Sequence, residues 1–227
     1  MNRRMLGVIG AIVLAASGGA AIGGPPLLCF PYEIGKAESL PWGNDAFEQK
    51  KGYDKSKVVD DTLAVLKTAK STLVRMETLR RAAVYIESDV GAATSLLARL
   101  SWIAMDAEAS GKPSAEAWFD AGFLAATLRQ AGADIKWHAG VANGADGYAW
   151  IQKAVELSPK DPEMQFGAAL VVFEHDSSRF KDHLRKAIAA AEPGSNLAKS
   201  IESNWACGHK PIAELAKEFG VQTAEKK

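Results

Sequence analysis

Few residues of this chain stand in patterns that could do chemistry, and each pattern has a plainer structural reading beside it. Ser178-Arg-Phe-Lys181 has the S-x-x-K spacing of a serine–lysine acyl enzyme. No S-D-N or K-T-G stretch accompanies it, and Ser178 falls where a helix needs an N-cap, so the capping reading is preferred. Cys207-Gly-His209 could offer two ligands to zinc, with His175 or His183 arriving from elsewhere, but nothing in the spacing fixes the remaining partners. A solvated or helix-capping His209 is the simpler expectation. Glu174-His175-Asp176 reads as a charged helix end satisfied by solvent. Asp60 and Asp61 open a helix, where the dipole favours acids. Arg75, Arg80 and Arg81 could face an acidic peptide, although a solvated helix face is the default. The chain has no G-x-S-x-G, H-E-x-x-H, Walker A or C-x-x-C motif. The expectation is no catalytic residue, no metal and no cofactor.

Composition narrows the partners. In 227 residues the 27 Lys and Arg equal the 27 Asp and Glu, so no global field draws the chain to nucleic acid or an anionic membrane. Residues 1–24 have the layout of a signal peptide. Arg3-Arg4 form a positive n-region, Leu6 to Ala16 an apolar stretch, and Gly19-Ala20-Ala21 a small-residue cleavage site. The competing reading is an uncleaved anchor, because no charge occurs between Arg4 and Glu33; on that reading alone would the protein touch a membrane. Export, to the periplasm or beyond, makes the two cysteines interesting. Cys29 and Cys207 sit near opposite ends of the mature chain and are a disulfide candidate in an oxidising compartment. Such a bridge would add about 4–5 kcal/mol on the chain-entropy account. Two separate thiols are the alternative.

The elements that position these residues are helices. Residues 25–56 hold Pro25, Pro26, Pro31, Pro41, Gly35, Gly43 and Gly52, and no helical period runs through them. Phe30, Tyr32, Ile34, Leu40, Trp42 and Phe47 are too many large apolar groups for a free linker, so this stretch is expected as an extended strap pinned to a helical body. The spacing then predicts helices over 56–69, 72–87, 90–109, 115–130, 146–158, 162–174, 178–191, 195–206 and 210–219. Asp89 is expected to cap the third. Val90, Ala93, Leu96, Leu97, Leu100, Ile103, Ala104 and Ala107 form its buried stripe. The fourth helix carries apolar groups on two faces, as a helix with neighbours on both sides requires. Gly220 is expected as a C-cap and 221–227 as a frayed tail. The fold class is all-α.

Two hairpins repeat a pattern. Trp118-x3-Gly122 with Ile151-x2-Ala154 and Pro159 recurs loosely as Phe166-Gly167 with Leu184-x2-Ala187 and Pro193. With the run Ala154-Val-Glu-Leu-Ser-Pro-Lys-Asp-Pro-Glu163, this resembles the tetratricopeptide repeat, which puts an aromatic and a small residue on the first helix and an alanine and a closing proline on the second. The resemblance covers about 72–206. It departs in the overlong loop at 132–147 and in the absence of the glycine from 72–109. It implies stacked antiparallel helical hairpins, an α-solenoid over 57–220, with the first helices of the pairs lining a concave face. On that account Trp118, Phe119 and Phe123, with Trp137 from the loop, are the partner-binding residues. The expected function is an exported scaffold that holds a protein or peptide partner in the cell envelope. The alternative is an enzyme or small-ligand binder with a pocket near the 132–147 loop.

Overall fold

A computed structural model describes residues 24–134 and 140–224. The leader at 1–23, Trp137, His138 and the last three residues of the tail lie outside the described residues. Among the described residues nine α-helices follow one another: α1 Val58–Thr68, α2 Thr72–Ile86, α3 Val90–Ala109, α4 Ala115–Asp134, α5 Gly147–Leu157, α6 Pro162–Val172, α7 Ser177–Ala190, α8 Asn196–Ser203 and α9 Ile212–Phe219. Among the described residues there is no strand; one isolated bridge pairs Trp42 with Gln49. No described helix is long and apolar enough to cross a membrane.

The helix starts follow from side chains that accept from backbone N–H groups one turn on. Ser71, Asp89, Asp146, Asp161, Asp176 and Ser195 cap α2, α3, α5, α6, α7 and α8. The cap of α7 is therefore Asp176, whose carboxylate takes the N–H groups of Ser178 and Arg179 at 3.0 and 2.9 Å; Ser178 itself is not the cap. Gly220, left-handed at φ 64°, closes α9 as expected.

Helices α4 and α5 form one close hairpin and α6 and α7 another, while α3 packs on α4 and α5 on α6. Helix α2 touches both α4 and α6. The arrangement is all-helical with neighbours packed in sequence, compatible with a helical repeat. Gly122 works as the sequence suggests: a Cβ there would stand 2.6 Å from the Gly147 carbonyl oxygen, and one on Gly147 would stand 2.7 Å from that of Gly122. Two glycines thus let α4 and α5 touch backbone to backbone. Gly167 serves a different contact. Its missing side chain makes room for the Phe119 ring of α4 and the Met76 sulfur of α2, not for its hairpin partner α7.

Residues 25–54, most of the stretch expected as a strap over 25–56, form no helix, and their partners lie on the helical body. Leu27, Leu28, Tyr32 and Leu40 are buried in the helical core. The Leu27 N–H donates to Gln130 on α4 at 3.2 Å, Tyr32 N–H to Glu77 on α2 at 3.0 Å, and Glu33 N–H to Ser200 on α8 at 2.9 Å. The Tyr32 ring meets Phe123 and Phe166, 6.0 and 6.2 Å between centroids. The strap thus contacts α2, α4, α6 and α8.

Candidate functional site

The expected partner-binding aromatics do not line an open face. Phe119 and Phe123 are wholly buried and stacked, 5.5 Å between centroids, and the strap's Tyr32 lies on Phe123. Trp118 is 6% exposed, with the Trp150 ring beside it and the Lys153 ammonium 4.4 Å from its centre. The chain's own strap fills the face that a peptide was expected to occupy. Nor do the arginines of α2 form a solvated face. Arg75, Arg80 and Glu77 are all buried.

Arg80 and Glu77 clamp the strap. Arg80 donates from Nε and Nη2 to the two Glu77 oxygens at 2.8 and 2.9 Å, and from Nη1 to the carbonyls of Leu28 and Ala46 at 3.2 and 2.7 Å. Arg81 reaches back to Glu77 at 2.7 Å, as i,i+4 spacing allows, and also holds the Leu40 carbonyl. Burial alone would raise the Glu77 carboxyl, but Arg80, Arg81 and the Tyr32 N–H together hold it below its ordinary value. No nitrogen or oxygen of the Glu77 and Arg80 side chains is buried without a partner.

A second polar pair sits elsewhere on α2. Arg75 Nη1 donates to Asp120 Oδ2 on α4 at 2.6 Å, and Nη2 to the Ala69 carbonyl at the end of α1 at 2.8 Å. Arg75 Nε and Asp120 Oδ1 are buried and have no partner. Burial pushes the Asp120 carboxyl up to about 7, against the pull of Arg75 and with Glu116 adding to the rise. Both side chains line a cavity of about 760 Å³ between α1, α3 and α4. Its walls are Leu63 and Leu66 of α1, Ala98, Leu100, Trp102 and Ile103 of α3, and Ala117 of α4; Lys67, Arg99, Ser114 and Glu116 complete the lining. Apolar walls with a few convergent polar groups and a shifted carboxyl are the marks of a binding site.

Helix α3 was expected to turn Val90 and Ile103 inward. Both are exposed, as are Trp102 at 65% and Met105 at 52%. The inward stripe is narrower than the apolar one in the sequence, and the surplus edges the cavity.

Beside the 140–147 segment, a smaller cavity of about 320 Å³ is lined by Arg129, Tyr148, His175 and Arg179. Behind it, His183 shares a hydrogen bond with the Tyr148 hydroxyl at 3.0 Å and another with Gln165 at 2.7 Å, so both ring nitrogens are engaged within the fold. Cys29 and Cys207 are not joined by a disulfide. The two ends of the chain nevertheless meet: Asn204 Nδ2 donates to the Pro26 carbonyl at 3.2 Å, and Phe30 packs edge-on against His209, 5.9 Å between centroids. Burial pushes the Cys207 thiol up to about 12, which makes it a poor nucleophile and metal ligand. No group of three or more His, Cys, Asp or Glu among the described residues is placed to hold a metal ion.

No family model matches this chain, and no curated protein or solved structure matches it either. The site rests on its own geometry.

Proposed function

We propose that this is an exported, non-catalytic scaffold of the cell envelope, built from degenerate tetratricopeptide-like hairpins. It binds an apolar segment of a protein or peptide partner in the groove between α1, α3 and α4. One observation carries the reading: the 760 Å³ cavity is bordered on α3 by exposed Trp102 and Ile103, with Met105 further along the same helix. An exposed apolar border continuous with an apolar cavity is what a partner covers. The concave face that the repeat resemblance nominates carries the strap instead, so the partner's site moves to the opposite side of α2. Export rests on the Arg3-Arg4 n-region and the apolar run after it.

The test is to fill the groove. Ala98→Trp places an indole in the cavity from an exposed helix position. Wild-type protein immobilised and exposed to its native envelope should retain a partner that Ala98→Trp does not, while Phe47→Ala, on the strap's exposed edge, should retain it fully. Equal retention by the filled variant would place the interaction elsewhere.

A further inference from the structure

Of the six large apolar side chains exposed among the described residues, four lie on α3: Val90, Trp102, Ile103 and Met105. The 20 residues of this helix carry only three charges, Arg99, Asp106 and Glu108. Glu108 is taken by Lys153 of α5. Arg99 and Asp106 remain on the outer face. They stand seven positions apart, about two turns, and so lie on one edge of that face with Trp102 and Ile103 between them. Arg99 gives one nitrogen to Asp60 and keeps further donors. Asp106 has no side-chain partner among the described residues. The order cation, apolar pair, anion complements itself when it is reversed. Two such helices laid antiparallel, about a twofold axis at Trp102 and Ile103, keep the same edge on the same side. Arg99 of each copy then meets Asp106 of the other. A parallel pair would set Arg99 on Arg99 and Asp106 on Asp106. The same axis carries Trp102 of one copy onto Ile103 of the other, at the mouth of the groove. Knob and hole lie on one surface, as a self-complementary twofold interface requires.

We propose that the apolar segment covering the groove is α3 of a second copy, which makes the protein a twofold dimer with α3 antiparallel to α3. This rests on the groove being the partner site and names the partner. Trp102, Ile103 and Met105 supply the apolar anchors of the contact. The two Arg99–Asp106 pairs set direction and register more than strength, because charges at a solvated rim contribute little affinity and reject wrong pairings. One helix and one groove per copy make a small interface, so the dissociation constant is expected at about 10–100 µM.

The experiment follows the mass of the mature chain by sedimentation velocity from about 1 to 300 µM, a range that brackets the expected constant. Wild type should pass from monomer to dimer. Trp102→Ala and the groove-filling Ala98→Trp should each weaken association about tenfold or more. Arg99→Glu alone and Asp106→Arg alone should each weaken it about tenfold, because the twofold axis repeats every like-charge contact. Arg99→Glu/Asp106→Arg together should restore the reference constant to within about threefold. The charge series is compared in an Asp60→Asn background, since Asp60 lies beside Arg99 and would repel the introduced carboxylate. All the positions changed are exposed, so the folded monomer is kept. A chain that stays monomeric throughout overturns the proposal; the groove reading then survives if wild type retains a different envelope protein that Ala98→Trp loses. Association that the single reversals leave unchanged, or that their combination does not restore, also overturns it, because the copies then meet on another surface. Dimers that obey the charge swap but form equally well in Ala98→Trp overturn the groove as the partner site, and the proposal with it.

Discussion

Helix α2 carries two buried carboxylate–guanidinium clusters, and they have opposite characters. On one side Glu77 and Arg80 use every side-chain polar atom on each other, on Arg81 and on the strap. On the other, Arg75 and Asp120 share one bond and leave a donor and an acceptor over. The two carboxyls report the difference. Partners hold Glu77 below its ordinary value, whereas burial takes Asp120 up to about 7. A saturated cluster is a fastener, because nothing remains for a ligand to satisfy. An unsaturated cluster lining an open cavity costs the fold stability that a ligand can restore.

The largest expected effect breaks the fastener. Arg80→Met leaves Glu77 buried with only Arg81, 17% exposed, to balance it, and frees two strap carbonyls. Removing one partner of a buried ion pair costs about 3–5 kcal/mol. Urea unfolding should register that loss, and limited proteolysis should cut the strap between Pro31 and Gln49 well before the helical body. A change below about 1 kcal/mol would mean that the strap is held by its apolar anchors alone.

The second effect distinguishes the clusters by pH. Asp120 titrates near 7 in the folded chain and near 3.8 unfolded, so between those values the folded state holds the extra proton. Its contribution to stability is therefore complete in acid and is lost as pH rises through about 7, with a slope of at most about 1.4 kcal/mol per pH unit. His183, lowered first by burial, slopes the other way, since the unfolded chain binds its proton more readily below 6.5. The informative quantity is the difference between wild type and Asp120→Asn across pH 4.5–8. It should follow Asp120 alone. Parallel curves would mean that Asp120 stays ionised throughout and that the pair is a second fastener.

Much of this architecture was legible in the sequence. Helix count, order and bounds within a few residues followed from apolar spacing and from Asp and Ser at the starts, since both are local signals. The strap was legible from its proline, glycine and aromatic content. Its location was not. That Tyr32 rests on Phe123 and Phe166 is a contact across roughly 90 to 135 positions, and nothing in either segment alone encodes it. The same limit hid the site. Arg75 and Arg80 look alike as charges on an amphipathic helix, and only their distant partners make one a clamp and the other a groove floor. Helix α2 packs on four other helices, and that packing, which its own sequence does not show, is what buries its charges. One signal was available: Trp102 stands next to a stripe that did not need it.

The third effect sharpens the contrast through replacement instead of removal. Arg75→Met/Asp120→Leu deletes both charges, and with them the two unpartnered atoms; the Ala69 carbonyl loses one donor. Well-packed apolar replacement of a buried pair is often neutral or stabilising by about 1–4 kcal/mol. Thermal unfolding of this variant should show little loss or a gain. Glu77→Leu/Arg80→Met, the matching double change in the clamp, should still destabilise, because the carbonyls of Leu28 and Ala46 and the Tyr32 N–H then have nowhere to bond.

The smallest effect lies at the groove's edge. Arg99 and Asp60 form a 2.6 Å ion pair, but their side chains are 51% and 76% exposed. Water screens such a pair, and holding two long side chains in one geometry costs entropy, so its net worth is about 0–1 kcal/mol. Arg99→Ala should leave the unfolding midpoint nearly unchanged at physiological salt. Its use as a control lies in that insensitivity. Arg99 lines the same cavity as Arg75, so if partner retention falls equally in Arg99→Ala and Arg75→Met, the groove reads net positive charge. If only Arg75→Met loses the partner, recognition resides in the buried floor, where low dielectric makes a hydrogen bond worth most.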